Sequence, residues 1–537
     1  MRQDSPSRPP PPMSAPSARQ PDSAPPAGKG GAVRIPTWAY PVVTIAALLI
    51  GAEAIVRGTR AVVSVTDSDL TNFFLPSANF ILHGDPWHMY AIRASGGYPN
   101  YNPPLSMFLL APLLGLARAV GFAANLGEQI TFVSLPMMVF VPLLGVLVLH
   151  ALRLLYPAMP DTQRFLAYVL IVLSPLTWQA IGTWYHLEQP LMLCFLVAAL
   201  IALQTEREGL AGVLAGLAVL TRTTALFPLL ALGVLLLMER RWVALLKLGG
   251  IGALVAALGL APFVLFDRAD VTYSFLTWRG SAPIGGNSIW SILASGSAGG
   301  IRHTLDAAAR RLDEFAVLLF VLLTSILAAR RLSVSAYSRD AWAVVAIAAL
   351  AVPMLSKTTW PYYYLEPFVP LLVWEFATMH DRVSGVWRWP VLTFGFLVVA
   401  ATLSQYLGLK SVGFGDRVVL GLLEFGAMLV FAIGIWLRIQ AAKPATPAPN
   451  GFGAPRPAFA AERSAPAPLY SGALPGVPPA APPAAPPALP GNDPSARPIA
   501  APPPQAPPPA GNATPQGWPD LEAGWPARPP TMPQRNP

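Results

Sequence analysis

The chain has 537 residues, of which 54% are hydrophobic and only 12% charged, with a net charge of +9. Soluble domains carry about 25% charged residues, so this composition excludes an ordinary water-soluble fold and puts most of the chain in lipid. The single cysteine, Cys194, sits in an apolar run and excludes a disulfide scaffold or a cysteine-built metal site. The positive balance is scattered rather than gathered in a block, which argues against a nucleic-acid surface.

Taken in chain order, residues 1–35 are rich in Pro, Ser and Ala, and the first long apolar run begins only near Thr37. This start lacks the compact shape of a cleavable signal peptide. Apolar segments then follow at 37–56, 103–122, 130–152, 164–182, 187–204, 208–221, 223–238, 246–266, 314–329, 341–355, 361–376, 389–408 and 419–437. A helix needs roughly 20 apolar residues to span a bilayer, and about 17 at the least, so these segments give about 11–13 spans, with 208–221 and 341–355 the shortest. The expected fold is an all-α polytopic membrane protein. From 441 to 537 the chain is nearly all Pro, Ala and Gly, a composition that cannot bury a core and serves as a solvated spacer or as a docking segment for a partner. The organisation is therefore a tail at 1–35, a membrane domain at 36–440 and a second tail at 441–537.

Basic residues cluster at 205–208, 239–241, 328–331, 380–382 and 438–443. Such clusters mark the cytoplasmic side, which puts both tails there and leaves the 57–102 loop, GTWYH (182–186), the 267–313 loop and SKTTW (356–360) on the opposite face. Counting spans from the two ends disagrees by one crossing between 103 and 182.

Residues that bear chemistry collect on that opposite face. Asp69 begins the run DLTNFFLPSANFIL, whose apolar spacing suits a helix lying along the membrane surface. A carboxylate held there can take the proton of an attacking hydroxyl, the ordinary alternative being a helix N-cap; Asp67 lies two residues earlier, off the same face. His186 and Glu188 are costly in so apolar a neighbourhood unless they face water or a ligand. Arg222, in LTRTTALFP, interrupts an apolar stretch with no acidic neighbour in sequence, and a guanidinium in that setting suits a phosphate or an ion pair. Lys357 and Arg279 are further cations on this face, and Tyr363 belongs to a Trp-Pro-Tyr-Tyr-Tyr run that suits a sugar, a headgroup or an interfacial aromatic belt. His83, Asp85 and His88 form the one arrangement that invites a divalent cation; otherwise no cofactor is expected.

Asp69, the Gly84-Asp85-Pro86 turn, Tyr90 and the Tyr101-Asn102-Pro103-Pro104 run together resemble the first loop of polyprenol-phosphate-dependent glycosyltransferases of the GT-C fold, and most closely the mannosyltransferase-like bacterial membrane proteins of glycosyltransferase family 87. LAGVLAGLAVLTRTTALFPLL (210–230), GGNSIW (285–290) and Lys357 with TWPYYYLEPFVPLL are similar to later features of that family. The likeness covers residues 37–438 and omits both tails; Trp87, His88 and Met89 lengthen the interval between turn and tyrosine. The resemblance implies a GT-C-like helical bundle with a large periplasmic first loop in a bacterial inner membrane. It also implies a hexosyl or pentosyl donor on a polyprenyl phosphate and a glycolipid or glycan acceptor. Asp69 would be the base; Arg222, Lys357, Arg279 and His186 would hold the donor phosphate. Asp67, Tyr90, Tyr101, Glu188, Asn287 and Tyr363 would line the substrate cavity. The competing reading is a multi-span transporter or a lipid-linked saccharide flippase, which would show internal repeats or several intramembrane cations.

Overall fold

The computed structural model describes residues 34–65, 68–91, 100–278, 284–286, 288–294, 300–379, 389–407 and 414–442. Contacts divide the chain after Pro447, and the expected tails lie almost wholly outside the described residues, as do Asp67, Arg279 and Asn287. The rest is helical. Each of the apolar segments read from the sequence falls on helix, and among the described residues six helices are long and apolar enough to cross a membrane by length and composition: Ala39–Arg60, Leu126–Leu155, Asp161–Gly182, Trp242–Phe266, Leu312–Arg331 and Val418–Ala441. Seven shorter apolar helices accompany them. The chain is thus an all-α polytopic membrane protein.

Hydrophobicity alone does not separate lipid-facing helices from central ones, and their burial does. Along Ala39–Val65, Val42, Ile45, Leu49 and Ile50 are all exposed. In contrast, every residue of Leu365–Thr378 and nearly every residue of Ala341–Leu355 is buried. Burial on every side puts these two, with the largely buried Glu188–Gln204 helix, at the core of the bundle. Small residues set the closest approaches, as in membrane helix pairs generally. A side chain at Gly212 would collide with the carbonyl of Lys247, and one at Gly216 with Val255. The GVLAG spacing in Glu208–Thr221 therefore seats the helix against Gly252–Phe266. Likewise a side chain at Gly58 would strike the carbonyl of Gly182, and one at Gly182 would strike Ala54.

Polar contacts gather at two poles. At one, Gln204 receives the Trp342 indole N–H (3.0 Å) and donates to the Ser338 carbonyl (3.1 Å), Lys247 pairs with Glu208 (3.5 Å), and the Arg241 guanidinium lies 5.3 Å over the Tyr337 ring. This pole brings together the ends of the helices that carry the basic clusters at 205–208 and 239–241 and the segment after Arg331. At the other, the first loop, the turn after Gly182, the turn at Arg222 and the 356–366 stretch meet.

The first loop is a built structure. Leu70–Phe74 forms a π-helical turn that continues as Leu75–Leu82, the surface helix expected from the spacing. The Asn-Tyr-Asn-Pro-Pro segment is buttoned to it: Asn100 donates to Ser77 Oγ (2.8 Å), and Tyr90 donates its hydroxyl to the Asn102 carbonyl (3.0 Å). Pro104 then caps the Leu105–Ala119 helix, where a missing N–H does least harm. A two-residue parallel ladder, Gly285 with Thr358 and Gly286 with Thr359, ties the later outer loop to the Lys357 stretch, reinforced by Ser288 Oγ on the Ser356 carbonyl (2.7 Å) and Trp290 on the Leu355 carbonyl (2.6 Å).

Candidate active site

Asp69 stands at the start of the π-helical turn with helical backbone angles, and its side chain makes no capping hydrogen bond. The capping reading is thereby removed. Its carboxylate, 24% exposed, turns across the bundle, and Oδ2 lies 3.2 Å from Nε2 of His186. His186 is buried, and its other nitrogen, Nδ1, lies 2.7 Å from Oε1 of Glu188.

The turn that delivers His186 has a local cause. Gly182 ends its helix against the first helix, and Tyr185 next to His186 adopts a left-handed backbone with φ 56°, a conformation uncommon for a bulky residue. Tyr185 is fully buried and its hydroxyl bonds the Ile55 carbonyl (3.0 Å) and Thr59 (2.9 Å). Anchored in this way, the backbone swings His186 under the first loop.

Behind His186 lies a buried ionic network. Arg222, at the break between Glu208–Thr221 and Leu226–Met238, places Nη1 on Glu188 Oε1 and Nε 3.0 Å from Glu366 Oε1. Glu366 also accepts from Thr224 Oγ1 (2.8 Å) and from Gln189 Nε2 (3.2 Å). Tyr362 stacks on the His186 ring with centroids 3.5 Å apart, and the Arg222 guanidinium lies 5.1 Å from the Tyr362 ring and 5.2 Å from Tyr363. Around this core, Trp184 meets Trp360 at 5.6 Å and Tyr362 at 6.2 Å, forming a half-buried aromatic wall.

The structure brings together Asp69, His186, Glu188, Arg222 and Tyr363 from distant parts of the chain. Tyr101 packs against Phe73 (5.2 Å). Lys357 is buried beside this assembly in sequence, three residues before Trp360, and its backbone N–H donates to Asp313 (3.0 Å).

Three expectations change. Tyr90 is fully buried, with its hydroxyl committed to the Asn102 carbonyl, so it locks the loop and does not line a cavity. Glu188 is equally enclosed and holds His186 and Arg222. Arg222 is neutralised by two carboxylates, so its charge is engaged within the network before any phosphate arrives. The residue the sequence reading missed is Glu366, 3% exposed. Its signal was available: a carboxylate in an otherwise apolar helix is the natural partner for an arginine that lacks one nearby.

His88 lies on the loop surface with Nδ1 2.6 Å from Asp85, a contact that raises its pKa from the usual 6.5. Among the described residues no three His, Cys, Asp or Glu side chains are disposed to hold a metal ion.

No curated protein matches the chain. A family profile described as glycosyltransferase family 87 matches residues 100–356. That stretch contains His186, Glu188 and Arg222 and stops one residue short of Lys357, while Asp69 precedes it. With the helical membrane fold, this match, which covers just under half of the chain, supports membership of glycosyltransferase family 87.

Proposed function

We propose that this membrane glycosyltransferase moves a sugar from a polyprenyl-phosphate donor to a hydroxyl of a glycolipid or glycan at the periplasmic face of a bacterial inner membrane. The observation that carries the reading is the Asp69 carboxylate, partly exposed, relieved of capping and set against a buried His186. In the reaction the acceptor oxygen forms its bond to the anomeric carbon as its proton passes to Asp69. The bond from that carbon to the lipid phosphate breaks with its electron pair leaving on the phosphate, and configuration inverts.

The charge balance supports this division of labour. Asp69, Glu188 and Glu366 outnumber Arg222, so the cluster is anionic and suits a sugar carbon that gains positive character in the transition state. Lys357 and Arg279, the cations read from the sequence, are assigned to the departing phosphate. The aromatic wall of Trp184, Trp360 and Tyr363 offers faces on which a sugar ring can pack. Orientation follows from the basic residues: the pole holding Arg207, Arg240 and Arg241 is cytoplasmic by the positive-inside rule, which gives the Asp69 pole to the periplasm.

The test is donor choice. Membranes containing the chain are given radiolabelled polyprenyl-phosphate hexoses and pentoses or the matching nucleotide sugars, with native lipids as acceptors. Label is expected in a lipid or glycan product from a polyprenyl-phosphate sugar and not directly from a nucleotide sugar. Transfer from nucleotide sugars in membranes stripped of polyprenyl phosphate would overturn the proposed donor.

A further inference from the structure

We propose that an apolar groove between three helices holds the isoprene units next to the phosphate of the donor lipid and leaves the rest of that chain in the bilayer. This placement rests on the polyprenyl-phosphate donor proposed above and concerns its tail rather than the reacting atoms.

The groove is a cavity of about 300 Å³ walled by Glu208–Thr221, Leu226–Met238 and Trp242–Phe266. Every residue lining it is Gly, Ala, Val or Leu. Leu226, Gly249 and Ala253 are exposed, so it opens sideways along a helix long and apolar enough to cross a membrane. Glycine supplies the room. A Cβ at Gly249 would meet nothing within 4 Å, and one at Gly233 would meet only Leu245 Cδ1, at 3.7 Å.

Two observations choose the occupant. The first is continuity with the candidate active site. Val219 and Leu226, one on each side of Arg222, line the outer end of the groove, next to the pairs that Arg222 makes with Glu188 and Glu366. The third wall leads in sequence through Arg268–Thr272 to Arg279, a residue assigned to the departing phosphate. A lipid whose phosphate is held there has its first units at the mouth of the groove, and an apolar cleft with polar groups at one end orients such a ligand. The second is size and shape. From Leu226 to Gly233 the groove runs roughly 10 Å at a rise of about 1.5 Å per residue, too short for a whole polyprenyl chain. Gly216, Gly249 and Gly252 leave notches in its wall for the methyl branch that every isoprene unit carries and a straight acyl chain lacks.

The experiment measures binding to the full chain in phosphatidylcholine nanodiscs, with dimethylallyl, farnesyl, undecaprenyl and hexadecyl monophosphates as probes. Gly233→Leu and Gly249→Leu, singly and together, fill the inner end of the groove. Filling is expected to raise Kd for farnesyl and undecaprenyl phosphate alike by about 10-fold or more, the scale on which an apolar pocket responds to misfit of a single methylene. Dimethylallyl phosphate, whose single unit stops short of Gly233, and unbranched hexadecyl phosphate should keep their affinities. Gly426→Leu, which puts the same side chain in open space elsewhere, should change none of them, and melting curves check that each variant is folded. Equal losses for hexadecyl and undecaprenyl phosphate would make the groove a general acyl-chain site and overturn the proposal. Unchanged binding of undecaprenyl phosphate to the filled variants would do the same. The probes carry no sugar and need no turnover, so the two readings fail separately. Wild-type protein that binds no isoprenoid phosphate contradicts the donor class itself, whereas tight binding that ignores groove filling contradicts the groove alone.

Discussion

Nε2 of His186 lies 3.2 Å from Oδ2 of Asp69, joining the first loop to a turn more than a hundred residues later. The link holds the carboxylate in one orientation, and misplacing a reacting group by about 1 Å can cost up to about 100-fold in rate. His186→Asn should therefore slow transfer by that range while the protein remains folded, checked by turnover in membranes at matched expression.

Arg222 is surrounded by Glu188 and Glu366 in the bundle interior. Removing one partner of a buried ion pair costs about 3–5 kcal/mol, because the remaining charge is left uncompensated. Arg222→Met should lower the thermal unfolding midpoint in detergent sharply. Adding Glu188→Gln and Glu366→Gln should recover part of the loss, since the buried charges then disappear together.

Tyr185 shows how a single anchor can serve the site from behind. Its hydroxyl bonds Thr59 and the Ile55 carbonyl, each such bond contributing about 0.5–1.5 kcal/mol. Tyr185→Phe should cost roughly that much in stability and also reduce turnover, because His186 follows it directly. A stability loss with full turnover would separate the anchor from the site.

On the loop surface, His88 and Asp85 give a pH-dependent contact. The pair raises the His88 pKa above 6.5, so its contribution is fully present below the ordinary histidine range and fades as pH rises through the raised value. Histidine NMR should show His88 titrating above the free value in the wild type and falling back toward it in Asp85→Asn.

Packing at Gly216 offers a check on the fold itself. A leucine there would meet Val255 and the Gly252 carbonyl, and overpacking of this kind costs about 1–3 kcal/mol. Gly216→Leu should lower yield and melting temperature, whereas Gly426→Leu, where nothing lies within 4 Å, should not.

The helices were legible in the sequence because lipid demands unbroken apolar runs with satisfied backbones, and every apolar segment fell on a helix. The surface helix after Asp69 was legible for the same reason, its apolar residues recurring at helical spacing. The roles of Tyr90, Glu188 and Arg222 were not, since each depends on a partner that the fold brings in: Asn102 for Tyr90, Arg222 for Glu188 and Glu366 for Arg222. Arg222 in particular reads as an anion contact until Glu366 is brought beside it. Central and lipid-facing helices were equally opaque, because both are apolar on all sides and only tertiary packing distinguishes Leu365–Thr378 from Ala39–Val65. The left-handed turn at Tyr185 carries no glycine and gave no local sign.

The most direct test of the proposed chemistry compares the wild type with Asp69→Asn in transfer from a radiolabelled polyprenyl-phosphate sugar, at matched expression in membranes. The asparagine keeps size and hydrogen bonding but cannot take the acceptor's proton, and a general base contributes about 100- to 10,000-fold. A loss of that order, with folding and donor binding retained, is the expected result. Equal transfer by the two proteins would contradict the assignment of Asp69 as the base and leave the Asp69–His186 contact as a structural tie.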